Sequence, residues 1–402
     1  MTLDVSVAVV GAGPVGATLA TALAARGIRA AVIDAAPLPP MEMPEFDGRC
    51  YAISRGSRPL LEDAGIWEHL PEPPCPIETI QVADGEPGRP PSRLGLTFRA
   101  AETDVDAFGW MVEARSLRVA LNARLPALPS LSVFAPATAQ VLERGPDGVR
   151  LRLSTGQEIT ARLLVAAEGR ASPLRRAAGI AVDRLDYHRM GMVGAFAHEY
   201  PHGNQALEMF LPNGPFAQLP LAEPPAGSPF PHASAFVWSD RTAIAQRMMA
   251  LDDAAFSREL ARRVGDALGQ VALVGRRWAY PLKAMHAARY TAERLALVGD
   301  AAHGIHPIAG QGLNLGFHDA TSLAALVAEA LDAGEDPGSP ALLARYQAAR
   351  RPKTVAMLGA THALERLFGN SFGPIRLARR LGIAAVDRIG PLKQAFARAA
   401  MG

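Results

Sequence analysis

Residues 299–320, GDAAHGIHPIAGQGLNLGFHDA, combine residue types that suit a polar, electron-rich ligand. The apolar run 295–298 leads into Gly299-Asp300, which places a carboxylate at the carboxyl end of a predicted buried strand. Ionised Asp300 only accepts hydrogen bonds, so it suits a chain of hydroxyl groups such as ribitol. Gly310-Gln311-Gly312 then opens a long apolar helix, whose N-terminus offers free N–H groups and a positive dipole end. The alternative interpretation is a tight Gly-Asp turn that only caps the helix.

The start of the chain has the pattern of a dinucleotide-binding turn. An apolar run is followed by Gly11-Ala12-Gly13-Pro14-Val15-Gly16, an alanine-rich helical stretch and a second strand that ends in Asp34. In this context Gly11 permits the tight turn, Gly13 lets the backbone approach a pyrophosphate, and Gly16 lets the helix pack on the strand. Asp34 would accept hydrogen bonds from the ribose of an adenosine. The glycines and the proline argue against a membrane span or signal peptide here.

One ligand must join these two stretches, and FAD fits because it carries AMP at one end and a ribityl flavin at the other. NAD would not need the second stretch. A third stretch, residues 163–175, is again a predicted buried strand, which ends in Glu168-Gly169. Ser172 is expected to cap the helix that follows, with Pro173 in its first turn.

Together these stretches resemble the single-component flavoprotein aromatic hydroxylases, and within them the ubiquinone-biosynthesis hydroxylase family. The resemblance covers nearly the whole chain. Its most specific part is HGIHPIAGQGLNLGFHD at residues 303–319, with support from Tyr280-Pro281-Leu282 and the ending 392–402.

The resemblance implies a set of cofactor-binding residues. Those for the pyrophosphate and ribose are Gly11, Gly13, Gly16 and Asp34. Arg49 and Arg115 are expected to approach the phosphates or the flavin, Asp300 the ribityl chain, and the backbone of Gly312, Leu313 and Asn314 the flavin pyrimidine edge. Glu168 stands where the family usually has Asp, so a part in nicotinamide recognition that needs the shorter side chain is not carried over.

The predicted fold class is α/β: a discontinuous Rossmann-like FAD-binding domain, an inserted antiparallel-sheet substrate domain and a helical C-terminus. The predicted domains are residues 1–72, 102–182 and 276–350 for FAD, residues 73–101 and 183–275 for the substrate, and residues 351–402 for the helical region. The strand-like runs between residues 193 and 238 lack a fingerprint of their own and are most simply one antiparallel sheet over the flavin.

Composition agrees with a globular protein of this size and excludes several classes. The chain has 402 residues, 49% of them hydrophobic, and its 41 Lys and Arg nearly balance 39 Asp and Glu, so no nucleic-acid-binding face is indicated. Cys50 and Cys75 form no C-x-x-C motif, and the histidines form no H-E-x-x-H motif, so we expect no metal site and a cytoplasmic location.

By resemblance, NAD(P)H reduces FAD, O2 adds to form a flavin hydroperoxide, and one oxygen passes to the ring of a lipophilic prenylated phenol. Met209, Phe216 and Gln218 are candidates to line the substrate pocket, although the same pattern fits a plain core. No catalytic base is assigned. His303, His306 and Tyr280 are candidates only by their proximity to the flavin stretch, and a structural role is the alternative.

Three functions remain open: hydroxylation of a polyprenylated phenol in ubiquinone synthesis, hydroxylation of a small soluble aromatic acid, or a catalytically silent scaffold in a quinone-biosynthesis complex. The tail, residues 364–401, carries seven Lys and Arg against one Glu and one Asp. It predicts an amphipathic helical pair packed on the body, or a surface in peripheral contact with the inner face of the membrane.

Overall fold

The computed structural model describes residues 2–38, 47–92, 95–305, 310–368 and 401. Its strands are β1 Thr2–Val10, β2 Ala30–Ile33, β3 Cys50–Ser54, β4 Cys75–Ile77, β5 Thr79–Asp84, β6 Leu96–Arg99, β7 Gly109–Glu113, β8 Leu131–Phe134, β9 Ala139–Gly145, β10 Gly148–Leu153, β11 Glu158–Ala166, β12 Val182–His198, β13 Gln205–Leu211, β14 Gly214–Pro220, β15 His232–Arg241, β16 Val271–Ala287, β17 Thr291–Ala292, β18 Leu295–Leu297 and β19 His303–Gly304. Its helices are α1 Pro14–Ala25, α2 Arg58–Asp63, α3 Ala114–Arg124, α4 Pro173–Ala177, α5 Thr242–Met249, α6 Asp253–Val264, α7 Gln311–Asp332 and α8 Pro340–Phe368.

The first sheet is the Rossmann-like sheet expected from the sequence. Its strand order is β17-β18-β11-β1-β2-β8, and β1 pairs in parallel with both β11 and β2. Val7, Ala8 and Val9 of β1 are fully buried, because a parallel strand in the centre of such a sheet is covered on both faces. The carboxyl ends of β1, β11 and β18 therefore meet at one edge, where all three stretches singled out above begin.

The second sheet has the order β19-β16-β12-β15-β14-β13-β5-β6. The strands between residues 193 and 238 pair antiparallel, as predicted. The prediction of a purely antiparallel sheet is wrong for the sheet as a whole, because β5 and β13 pair in parallel. They are far apart in sequence, so no hairpin turn sets their direction. One face of the sheet packs against α5 and α6 through a core that includes Met192, Phe216 and Phe256.

A three-stranded sheet, β3-β7-β4, lies against the other face of the second sheet. Cys75 and Met111 of this small sheet form one hydrophobic cluster with Ala195 and Ala235 of the large one, and Ala52 packs against the same cluster. The small sheet thus connects the face of the large sheet that points away from α5 and α6 with α7, to which β3 is hydrogen-bonded. The division into domains by residue number stays a proposal.

The C-terminal part of the chain is mainly helical up to Phe368 and consists of α7 and α8. The hydroxyl group of buried Tyr346 on α8 donates a hydrogen bond to the Leu297 carbonyl (2.7 Å), which fixes α8 against β18. The predicted helical pair of the tail lies almost entirely outside the described residues. Within the described ranges, none of the helices is both long and apolar enough to cross a bilayer.

Candidate functional site

The glycine turn after β1 has two closely packed glycines and one open glycine. Gly11 has φ +106°, and a Cβ there would collide with the Ala167 carbonyl; a Cβ on Gly16 would collide with the carbonyl of Gly11. A Cβ on Gly13, by contrast, meets no atom within 4 Å. Gly11 and Gly16 are therefore needed for packing of the turn, whereas Gly13 leaves a free approach to the N-terminus of α1. This open approach fits a pyrophosphate group.

Asp34, at the end of β2, lies beside this turn. Its carboxylate accepts hydrogen bonds from the N–H groups of Ala12 (2.6 Å) and Ala36 (2.9 Å). These bonds hold the acid next to the turn, where an adenosine ribose would meet it, and its ribose-binding role stays a prediction.

Arg118 is a residue of this site that the sequence reasoning missed. It is buried, and its Nη1 donates to the Ala12 carbonyl of the glycine turn (2.7 Å), while its buried Nε has no hydrogen-bond partner in the described part of the chain. Burial lowers the pKa of Arg118, and the nearby Tyr51 and Asp34 act in the opposite direction. Arg118 lies one helical turn after Arg115. This i, i+3 spacing, which places both residues on the same side of the helix, is the sequence feature from which a role for Arg118 could have been predicted.

The two arginines predicted to approach the cofactor are held by acidic partners. Arg115 contacts Glu72 and, at 3.4 Å, Glu113. Arg49 donates from Nε to Asp47 (2.8 Å), and its guanidinium group stacks on the ring of Trp278 at 4.6 Å. Their approach to the phosphates or flavin stays a prediction; Arg118 is the arginine hydrogen-bonded to the glycine turn.

Asp300 lies in a 3₁₀ turn after β18, as the strand-then-acid pattern predicted. The strand before it is buried, but the carboxylate itself is not: 52% of the Asp300 side chain is exposed, and its partner is the Arg170 guanidinium group (3.3 Å). Arg170 also donates to the Lys283 carbonyl, so it bridges β16 to this turn. The exposed carboxylate is open to hydroxyl groups from solvent or a ligand.

A buried ionic cluster fixes the backbone of the Asp300 turn from behind. Asp319 of α7 is completely buried and accepts hydrogen bonds from the Gly299 N–H (3.0 Å), His303 Nε2 (2.6 Å) and Arg350 Nε (2.8 Å). Burial raises the pKa of Asp319, but His303 and Arg350 outweigh burial, so the net shift of its pKa is downward. His303 was a candidate base because of its proximity to the flavin stretch. In the structure its Nε2 is hydrogen-bonded to Asp319 within this cluster.

The N-terminus of α7 is open at its second residue. Gly310 caps the helix with φ +63°, and a Cβ on Gly312 would meet no atom of the described residues within 4 Å. The side chain of Asn314 accepts a hydrogen bond from the Ser54 N–H (2.9 Å) and donates one to the Ala52 carbonyl (2.8 Å). Asn314 thus fastens the helix to β3, while Leu313 packs on the main core and the backbone N–H groups remain the ligand-binding candidates.

Glu168 is occupied in capping α4. Its carboxylate accepts from the Ser172 hydroxyl (2.6 Å) and the Leu174 N–H (3.2 Å), and burial raises its pKa. The predicted Ser172 cap is confirmed, since its hydroxyl accepts from the Arg175 N–H (3.1 Å), with Pro173 opening the helix. The extra methylene of Glu is what lets this carboxyl reach across the first turn.

The three pocket candidates lie on the face of the second sheet that packs against α5 and α6. Met209 and Phe216 belong to the core against α5 and α6, so the core alternative holds for them. Gln218 shares the face of Phe216, because alternate residues of a strand point to the same side. Tyr280 is 38% exposed on β16, and His306 lies outside the described residues.

The described residues fit FAD at both ends. Gly13 and Gly312 are open positions at two helix N-termini, Arg118 and Asp34 flank the first, and Asp300 presents a carboxylate near the second. Oriented N–H groups suit the pyrophosphate and the electron-rich edge of a reduced flavin.

Similarity to known proteins supports the interpretation of these residues as an FAD site. Residues 4–361 match the family described as FAD binding domain. Over 396 residues the chain is 46% identical to the ubiquinone hydroxylase UbiL of Rhodospirillum rubrum, covering 98% of this chain and 89% of that one. It is 34% identical to the 3-demethoxyubiquinol 3-hydroxylase of Escherichia coli, covering 98% of each chain. The solved structure of PqsL from Pseudomonas aeruginosa in complex with 2-aminobenzoylacetate has TM-score 0.76 and 25% identity over 95% of this chain and 99% of that chain.

The chain therefore belongs to the FAD-binding-domain family, and FAD is its cofactor. It is a flavin-dependent monooxygenase, and the family resemblance predicted from the sequence is confirmed.

Proposed function

We propose that this protein hydroxylates the aromatic ring of a polyprenylated phenol in ubiquinone biosynthesis, with NAD(P)H and O2 as co-substrates. Bound FAD would supply the electron transfer and oxygen activation that amino-acid side chains lack. The chain's own residues bind the cofactor at the two open helix N-termini, position the ring and keep water away. The similarity to named ubiquinone hydroxylases over nearly the full chain supports this assignment.

The structural observation that carries the proposal is one row of side chains across the second sheet. Backbone pairing aligns Glu208 with Ala217, Val237 and Val193 on four neighbouring strands. They occupy the face opposite Met209, Phe216 and Trp238, which are almost completely buried. Glu208, Val237 and Val193 are only half-buried in the middle of a sheet. This face therefore borders accessible space.

The row lies close to the flavin-binding elements. Two residues further along their strands, about 7 Å, Ala195 and Ala235 pack with Ala52 of β3. The Ala52 carbonyl in turn accepts the hydrogen bond from Asn314 at the start of α7. From Glu208 to Val193 the row spans three strand spacings, about 14 Å, and is apolar beyond the carboxyl. An elongated apolar surface of this kind suits a ring with a prenyl tail.

The second candidate, hydroxylation of a small aromatic acid, requires a cationic or hydroxyl clamp for the substrate carboxylate. The row carries an acidic residue and three apolar ones, and an acidic side chain would repel such a substrate. The third candidate, a silent scaffold, predicts no turnover at all.

The test is turnover by the purified holoenzyme with a short-chain prenylated phenol, NADH or NADPH, and O2. We expect a product heavier by one oxygen atom, and deletion of the gene should make the unhydroxylated quinone precursor accumulate. Preferential turnover of a compact aromatic acid would establish the second candidate. A yellow protein that consumes no O2 with any phenol would support the scaffold.

We also propose peripheral contact with the inner face of the membrane, through the basic tail, and membership of a quinone-biosynthesis complex. The lipophilic substrate and the seven Lys and Arg of residues 364–401 support membrane contact. Co-sedimentation with anionic but not neutral liposomes at low salt is expected, and its absence would contradict membrane contact. Co-purification of other quinone-biosynthesis enzymes with the tagged protein tests the complex.

A further inference from the structure

Glu208 is an acidic residue at a position where the sheet otherwise presents apolar side chains. It lies at the centre of β13, paired with Ala217 of β14 on one side and Val82 of β5 on the other. Its neighbours along the strand, Leu207 and Met209, point to the opposite face. The carboxyl group therefore points to the face that borders the flavin-binding elements.

The Glu208 carboxyl makes no hydrogen bond or ion pair with any part of the chain that the structure describes. Every other acid discussed above has such a partner, including Asp34, Glu168, Asp300 and Asp319. Burial alone raises the pKa of Glu208 to about 7. A half-buried carboxyl without a hydrogen-bond partner is less well solvated than in water, and such groups concentrate at functional sites.

We propose that Glu208 binds the phenolic hydroxyl of the substrate by accepting its hydrogen bond, and so orients the ring on the row formed with Ala217, Val237 and Val193. The phenol is a donor, the carboxylate is an acceptor, and the apolar remainder of the row takes the tail. This inference rests on the proposed function, since it specifies how that substrate is held.

The position favours this pairing for a physical reason. A hydrogen bond to a charged acceptor contributes more when both groups are removed from water, because solvent no longer competes for them. The substrate would supply the partner that Glu208 lacks among the described residues. Asp84, on the neighbouring strand β5, is another acid on this face, and it already has a partner.

The experiment compares a short-chain 2-prenylphenol with its methyl ether, which keeps the shape but lacks the donor. Binding to the oxidised holoenzyme is followed by the change in flavin absorbance, which requires no turnover. The variants are Glu208→Leu and Glu208→Gln. Asp240→Asn is the matched control, because Asp240 is a buried acid of the same sheet on the face toward α6, bonded to Trp238.

We expect the parent protein and Asp240→Asn to bind the phenol at least tenfold more tightly than the ether at pH 8. Glu208→Leu should lose this preference while keeping its FAD content. In the parent, phenol affinity should rise with pH through about 7 as the carboxylate forms. Glu208→Gln should show weaker binding with no such pH dependence, and this variant decides the question if Glu208→Leu fails to fold.

Three results would overturn the inference. If the parent hydroxylates the phenol but binds phenol and ether equally, or if Glu208→Leu keeps the preference, Glu208 does not hold the hydroxyl and the proposed function stands. If the parent neither binds nor hydroxylates any prenylated phenol, the proposed function fails and the assignment of Glu208 fails with it.

Discussion

Replacing Asp319 with Asn should destabilise the protein strongly, because Asp319 is the buried centre of an ionic cluster. Its carboxylate accepts three hydrogen bonds, and the side chains of His303 and Arg350 are only 2% and 5% exposed. Asn offers one acceptor oxygen and turns an NH2 donor toward groups that also donate. Breaking a buried pair while its partner charge stays buried costs about 3–5 kcal/mol. That is a large share of the about 5–15 kcal/mol that stabilises a typical protein.

The control for this prediction lies on the same helix. Glu329 of α7 pairs with Arg345 of α8 at 2.8 Å, so it also links these two helices, but both side chains are more than half exposed. Glu329→Gln should therefore lower the free energy of unfolding by about 1 kcal/mol or less. Urea denaturation of parent and both variants measures the two losses. A loss for Asp319→Asn below about 1 kcal/mol, or equal to that of Glu329→Gln, would refute the reasoning.

The same substitution should alter the acid side of the stability profile. The folded-state pKa of Asp319 is lowered, so its carboxylate contributes stability above the unfolded pKa, and that contribution is lost as pH falls through the folded value. Asp319→Asn should therefore lose less stability between neutral and acid pH than the parent. Since Asp319 also holds the Gly299 N–H, we expect a lower FAD content in the purified variant.

Three further predictions concern the cofactor site and the sheet. Gly13→Val should abolish FAD binding with little loss of apoprotein stability, because its Cβ meets open space, whereas Gly16→Ala should destabilise the apoprotein itself; stoichiometric FAD in Gly13→Val would contradict this. Asp300→Ala should lower FAD affinity at least tenfold and leave urea stability nearly unchanged, since its ion pair with Arg170 is half-exposed; unaltered flavin content after dialysis would argue against the ribityl role. The folded pKa of Glu208, about 7, exceeds its ordinary 4.5, so its contribution to stability is present below pH 4.5 and is lost as pH rises through 7. Glu208→Gln should remove that decline, and an unchanged pH profile of the urea midpoint would count against the raised pKa.

The local parts of the cofactor site could be predicted from the sequence because each depends on a few consecutive residues. The strand, glycine turn and helix at Gly11 to Gly16 are one βα unit, and a buried strand that ends in Asp300 is a pattern along one segment. The fold class followed because hydrophobic periodicity and turn residues are also local. The Ser172 cap followed from two neighbouring residues for the same reason.

Partners across the fold could not be predicted, since they come from distant segments. The sequence shows Arg115 and Arg118 one turn apart, but only packing of α3 brings Arg118 to the Ala12 carbonyl. The ion-pair partner of Asp300 is Arg170, 130 residues away, and the cluster of Asp319, His303 and Arg350 joins α7, β19 and α8.

The face of the second sheet that carries Glu208 shows most clearly what the sequence determined and what the tertiary structure decided. The alternation of β13 by itself determines that Glu208 and Met209 point to opposite faces, because side chains of a strand alternate with a period of two. Which residues of β13 meet the small sheet β3-β7-β4 depends on α5 and α6 covering the face of Met209, and on the small sheet lying against the other face. Those are contacts between segments far apart in the chain, so the sequence determined the alternation and the tertiary structure decided that Glu208, rather than Met209, lies on the face that carries the small sheet.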